Sequence, residues 1–176
     1  MDSFLGFVPL GTPLTAAVVT RDGSSTPRDA SPAPAFRVYG PAGLMANGTG
    51  SLAFKDPSAA GGPVSGATNA SPIVVTSPGH NLSSGTRVTL AGVSGNTGAN
   101  GDFQVTVIDG NTFSLDGSTG SGAYTSGGTW HVSGLYNLSL TPTGGNGYAP
   151  GQNYTVLVTA TVAGTAKADT YTFTVV

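Results

Sequence analysis

The chain has no cysteine, so no disulfide framework, thiol nucleophile or cysteine-built zinc site can be part of it. It also has no glutamate and only two lysines, Lys55 and Lys167. Charged residues make up 8 %, against about 25 % in an ordinary globular protein. The formal net charge is −2, which gives no electrostatic footprint for nucleic acid or for an anionic membrane surface. No apolar run approaches the length of a membrane helix. Helical periodicity is missing too, because every candidate window is broken by Gly or Pro. The amino terminus, "MDSFLGFVPLGTPL", has an aspartate where a signal peptide needs basic residues, and the first arginine is Arg21. No secretory signal is expected.

The 176 residues include 28 Gly and 12 Pro, just short of the level that signals disorder, while 38 % of the chain is hydrophobic. That balance fits a core assembled from short strands and many turns, with a polar surface of Ser, Thr and Asn. The strand signal is strongest at the carboxyl end. In "NYTVLVTATV" Tyr154, Val156, Val158, Ala160 and Val162 alternate with Thr155, Thr159 and Thr161. In "TYTFTVV" Tyr171, Phe173 and Val175 alternate with threonines. With "AGTAKAD" as the turn between them, the segment predicts a β-hairpin with one buried face. Shorter strands are expected at 14–20, 35–39, 51–55, 73–76, 86–90, 102–108, 112–116, 129–132 and 135–140. Residues 21–34 form a turn-rich, proline-bearing connector. "AAGGPVSGATNAS", residues 59–71, reads as a linker. The fold class expected is all-β: a discontinuous outer domain, 1–66 with 133–176, carrying an inserted module at 67–132. Both pieces are large enough to fold.

The insert contains "SPIVVTSPGHNLSSGTRVTLAGVSGNTGANGDFQVTVIDGNTFSLDGSTGSGAYTSGGTW". Through Gly79-His80 with Leu82, Gly85, Val88 and Gly92, Asn100-Gly101, Asp109 to Leu115, and the closing Gly128-Thr129-Trp130, it resembles the first catalytic-cysteine half-domain of ubiquitin-activating enzymes. This β-module also occurs in tailed-phage structural proteins. The resemblance implies a small barrel-like fold and a setting. It does not imply ubiquitin chemistry, since the chain lacks a cysteine and a nucleotide-binding loop. The outer part, through "LTAAVVTRDG", "FRVYGPAG", "GLYNLSLT" and "GYAPGQNYTVLVTATVAGTAKADTYTFTVV", resembles the immunoglobulin-like modules of phage baseplate, tail and head-accessory proteins. The Cys–Trp–Cys core of antibody domains is absent.

Candidate sites are few. His80 and His131 are the only histidines, and neither has the neighbouring ligands that a metal site needs. No Gly-x-Ser-x-Gly elbow leads into a helix. Six of the eight aspartates (Asp2, Asp22, Asp29, Asp56, Asp109, Asp116) sit in turn-like contexts, where they cap turns. "GSTGSG" and "GNTGANG" lead into strands rather than helices, so they read as turns and not phosphate cradles. No catalytic residue, cofactor site or metal site is expected. Trp130, with Tyr124 and Tyr148, could stack on a sugar, although a single Trp in a small β-module is more often its core anchor. Phe4, Leu5, Phe7, Val8 and Leu10 form an apolar stretch before the first clear strand. It is either the first strand of its own sandwich or an arm added to a neighbouring subunit's sheet.

Together these readings predict a non-enzymatic structural protein of a bacteriophage virion, made in the host cytoplasm. A capsid decoration (cement) or head-fibre protein is the first expectation and a tail or baseplate accessory the second. Expected partners are capsid or tail subunits and further copies of the chain, a homo-oligomer on the particle, with no nucleic acid and no membrane. The alternative from another class is a carbohydrate-binding module for a host-surface glycan.

Overall fold

Alternating threonine and apolar residues at the carboxyl end produce the longest ladder. A computed structural model describes residues 3–54 and 61–176. In it β14 (Asn153–Val162) and β15 (Thr165–Val175) pair antiparallel from Asn153↔Thr174 to Val162↔Thr165. The turn is only Ala163-Gly164, with φ of 48° and 77°. Two central residues at positive φ match the right-handed twist of the flanking strands, as in the tightest hairpins. The strand therefore begins at Thr165, and "TAKAD", expected to be loop, is ladder.

The described chain is all-β apart from two short 3-10 turns, and it divides into two units: Met1–Phe54 with Gly134–Val176, and Lys55–Ser133. The first unit is an immunoglobulin-like sandwich. Its strands are β1 (Ser3–Val8), β2 (Leu14–Val19), β3 (Ala35–Gly40), β4 (Gly43–Ser51), β5 (Ala53–Phe54), β13 (Leu135–Leu140), β14 and β15. One sheet has the order β1-β15-β14-β3-β4 and the other β2-β13-β5. All pairs are antiparallel except β1 with β15. The facing sides meet in a core that includes Val18, Leu138, Val38, Val156 and Phe173, all essentially solvent-free. Apolar packing of this kind, aliphatic and aromatic, holds the sandwich without a disulfide. Tyr154 adds a latch: its hydroxyl accepts the Ala149 N–H at 2.8 Å across the turn before β14. A tyrosine corner in immunoglobulin-type folds makes the same kind of bond.

The 21–34 connector is ordered by Asp22. Partial desolvation opposes ionisation of its carboxyl, but the N–H groups of Thr26 and Ser24 and the Arg28 guanidinium outweigh it and hold the pKa below the ordinary value.

The second unit contains β6 (Gly61–Pro63), β7 (Gly66–Ala67), β8 (Ile73–Thr76), β9 (Arg87–Ala91), β10 (Gly101–Val107), β11 (Thr112–Leu115) and β12 (Thr129–Val132). Their order, β6-β12-β9-β10-β11-β8-β7, puts two consecutive strands at opposite ends of one sheet. The segment 61–67 thus links the two ends and curls the sheet into a half-barrel. Val64 donates its N–H to Gly128 O at 2.9 Å, Ser65 donates to Thr76 O at 2.9 Å, and the Val64 side chain is buried in the core. In the described part of 59–71, expected to be linker, Gly61–Pro63 and Gly66–Ala67 are strands. The unit accordingly takes in residues ahead of 67, the start expected from sequence.

Candidate functional site

Among the described residues, His80, Asp29, Asp102 and Asp109 are tied into the framework by hydrogen bonds. His80 is buried; its Nε2 donates to Asp109 O at 2.9 Å while Nδ1 accepts the Leu82 N–H at 3.0 Å, which fixes one tautomer. His131 lies on β12, opposite Thr89 on one side and Gly61 on the other. The Asp109 carboxylate accepts the N–H groups of Asn111 and Thr112 at 2.8 Å each. Those bonds hold its carboxyl below the ordinary carboxylate range, against slight desolvation, with His80 adding to the effect. Asp29 accepts the Gly134 N–H at 2.6 Å, and Asp102 accepts from Arg87 Nε at 3.1 Å and Ser133 Oγ at 2.8 Å. Asp2 and Asp56 lie outside the described residues. Among the described residues, no three His, Cys, Asp or Glu converge on a metal-sized site.

The sugar-stacking reading is corrected by burial for Trp130 and Tyr148, while Tyr124 is half-buried. Trp130 is 2 % exposed, donates Nε1–H to Ser77 Oγ at 2.8 Å, and meets Phe113 edge-on with centroids 5.8 Å apart. It anchors the barrel core. Tyr124 packs against that core and donates its hydroxyl to Val64 O at 2.9 Å and to Gly127 O at 3.1 Å. Tyr148 is also 2 % exposed and belongs to the sandwich unit, beside Tyr154. No ring face of Trp130 or Tyr148 is open to a ligand.

The amino-terminal stretch gives a different result. Residues 3–8 pair in parallel with the chain's own β15, so they form the first strand of their own sandwich. Register slips between Phe4 and Phe7, where Gly6 takes φ 114°. Across the slip Val8 and, in part, Leu5 turn into the core. Phe4 and Phe7 turn outward, 56 % and 70 % exposed, with their rings edge to face at 5.4 Å. Leu10, beyond the strand, is 40 % exposed.

Those two rings begin a surface that only strand register reveals. One row runs across all five strands as Phe4, Thr172, Thr155, Tyr39 and Leu44. The next contains Thr170, Leu157, Arg37 and Thr49, and a third contains Ala168, Thr159, Ala35 and Ser51. Arg37 is the one charged side chain in these three rows. Beside the third row, Pro32, Ala33, Ala35, Thr159, Ala168 and one charged residue, Lys167, help line an open depression of about 410 Å³. The outer face of the larger sheet thus has an aromatic ridge at one edge and a small-residue hollow toward its hairpin end. Leu44, Tyr39 and Leu157 were not singled out from sequence, because their alignment with Phe4 depends on pairings between distant strands.

Comparison with known proteins supports the reading of the insert. The model of the ubiquitin-activating enzyme E1 FCCH domain matches residues 71–132, within the half-barrel unit. No curated protein matches the sequence. Among solved structures, a family 123 glycoside hydrolase from Clostridium perfringens, described for glycolipid glycan hydrolysis, is similar at 14 % identity and a TM-score of 0.24. The alignment covers 100 % of this chain and 23 % of that enzyme, so the chain spans less than a quarter of the enzyme's length.

Proposed function

We propose that the chain is a non-enzymatic structural protein of a tailed-phage particle, most simply a capsid decoration or head-fibre protein, which docks through the outer face of its five-stranded sheet. The observation that carries the reading is the exposure of Phe4 and Phe7 on a sheet face almost without charge. A large apolar patch left in water is a liability unless a partner covers it. The resemblance of both units to modules of phage structural proteins supplies the setting, as analogy at the level of fold. Low charge suits a lattice contact that must survive changes in salt, because apolar burial is not screened as ion pairs are.

Immunogold electron microscopy of purified particles, with antibody against the half-barrel unit, tests this reading. Label over the heads is expected. Label confined to the tail would move the protein to the adsorption apparatus. A blot of purified particles showing no such chain would overturn the virion assignment.

A further inference from the structure

The ridge and the hollow lie on the same face, and the hollow is lined mainly by small apolar residues and threonines, with Lys167 among them. We propose that this face is a two-fold interface between two copies of the chain, the Phe4–Phe7 ridge of each copy seating in the Ala35–Thr159–Ala168 hollow of the other. The inference deepens the proposed function by naming the partner at that face, and it rests on the reading of the face as an assembly surface.

Three properties of the face favour a second copy over an unrelated partner. First, the ridge and the hollow are separated along β14 by four residues for Phe4, in the Thr155 row, and six for Phe7, in the Asn153 row, and by two strand positions, from β1 to β14. At roughly 3.4 Å per residue and roughly 4.8 Å per strand, the offset is about 17–23 Å. A two-fold axis in the plane of the interface, midway between them, places both ridges in both hollows. This is the reciprocal contact pattern of an isologous dimer. Second, a cavity of about 150 Å³ accommodates one benzene ring, so the hollow of about 410 Å³ has room for two. Third, five strands about 24 Å across and some 25 Å long present roughly 600 Å² per copy, or about 1,200 Å² in total. That reaches the lower end of stable, specific interfaces. The three rows hold no carboxylate to recruit a basic partner, and Arg37 is their single cation.

Sedimentation velocity of the full chain, across the micromolar range, tests the proposal. Wild type is expected to dimerise. The ridge variant Phe4→Ser/Phe7→Ser and the hollow variant Ala168→Arg each alter exposed side chains. They should keep the wild-type circular dichroism spectrum while weakening self-association at least about a hundredfold, the loss expected from removing buried phenyl contacts. Mixing the two variants restores one ridge and one intact hollow, so a mixed dimer should appear that neither variant forms alone. A monomeric wild type, a dimer that persists in both folded variants, or a mixture with no mixed dimer would each overturn the proposal. The virion assignment is decided separately: a solution monomer that still labels particles leaves it standing, and a dimer absent from particles removes it.

Discussion

Replacing Tyr148 by phenylalanine should stabilise the sandwich, although the hydroxyl it removes lies deep in the core. Tyr148 packs with centroids 4.7 Å from Tyr154 and 6.3 Å from Phe173, and its hydroxyl is buried with no hydrogen-bond partner. Burial, and to a smaller degree the Tyr154 hydroxyl, pushes its pKa up to about 12. A buried polar group left unpaired costs about 1–3 kcal/mol. The Tyr148→Phe protein keeps the tilted ring contacts and discards that cost, so a gain of about 1 kcal/mol is expected, or roughly 4–8 °C in Tm for a unit of this size. Tyr154→Phe, one ring away, should do the opposite. It deprives the Ala149 N–H of its acceptor, at a cost of about 1 kcal/mol. Urea unfolding followed by circular dichroism measures both. The pH dependence has a definite sign: a phenol whose folded pKa is raised favours the folded state at pH below about 10, and that contribution is lost as pH rises toward about 12. The late-titrating phenol should vanish from the ultraviolet titration of the Tyr148→Phe protein. Loss of stability in Tyr148→Phe comparable to that in Tyr154→Phe would refute the reasoning, because it would mean the Tyr148 hydroxyl is satisfied.

Three further outcomes are expected. Gly98→Ala should destabilise the half-barrel by about 1–3 kcal/mol, because the added Cβ would collide with the Thr119 carbonyl oxygen, whereas Gly110→Ala, which meets nothing, should be near neutral; thermal unfolding of the two variants decides it. A fragment of residues 61–133 should fold alone and one of residues 71–132 should not, since the shorter piece loses both end strands and the buried Val64, worth about 1.5–3 kcal/mol by itself; amide exchange distinguishes them. Stability carried by Asp109 is present above the ordinary aspartate value of 3.8 and lost as pH falls through its lowered folded value. Asp109→Ala should therefore flatten the acid limb of the urea midpoint against pH.

Strand alternation made most of the fold legible, from the final hairpin to the core positions of β14 and β15. The insert was legible through its turn glycines and its closing Gly128-Thr129-Trp130. Two regions were not, for a common reason. β4 carries Gly43, Gly48 and Gly50, and the 61–67 segment carries Gly61, Gly62 and Gly66, so no strand is expected at 43–50 and the second segment reads as linker. In β4 two of these glycines serve packing: a Cβ at Gly50 would lie 2.7 Å from Phe36 Cε1, and one at Gly48 2.8 Å from the Val38 carbonyl oxygen. A glycine that admits a neighbouring ring or carbonyl looks, in one dimension, like a glycine that makes a turn. The candidate surface was half legible. Phe4 and Phe7 stand out as apolar residues, but that Tyr39 and Leu44 continue their row follows only from register, which no local pattern carries.

The pairing of β6 with β12 bears on how such a chain could arise. His131 faces Gly61 and Trp130 faces Gly62, so the guest's two ends leave it side by side. On the host, β5 and β13 are antiparallel neighbours, with Phe54 opposite Tyr136. To the sandwich, the whole intervening module is topologically a hairpin loop, and lengthening a closed loop adds little entropic cost. A cassette with this geometry can be exchanged for another, or cut back to a tight turn, without renegotiating the host's strand order. The split between β5 and β13 is thus a natural grafting point, where recombination could trade one inserted module for another.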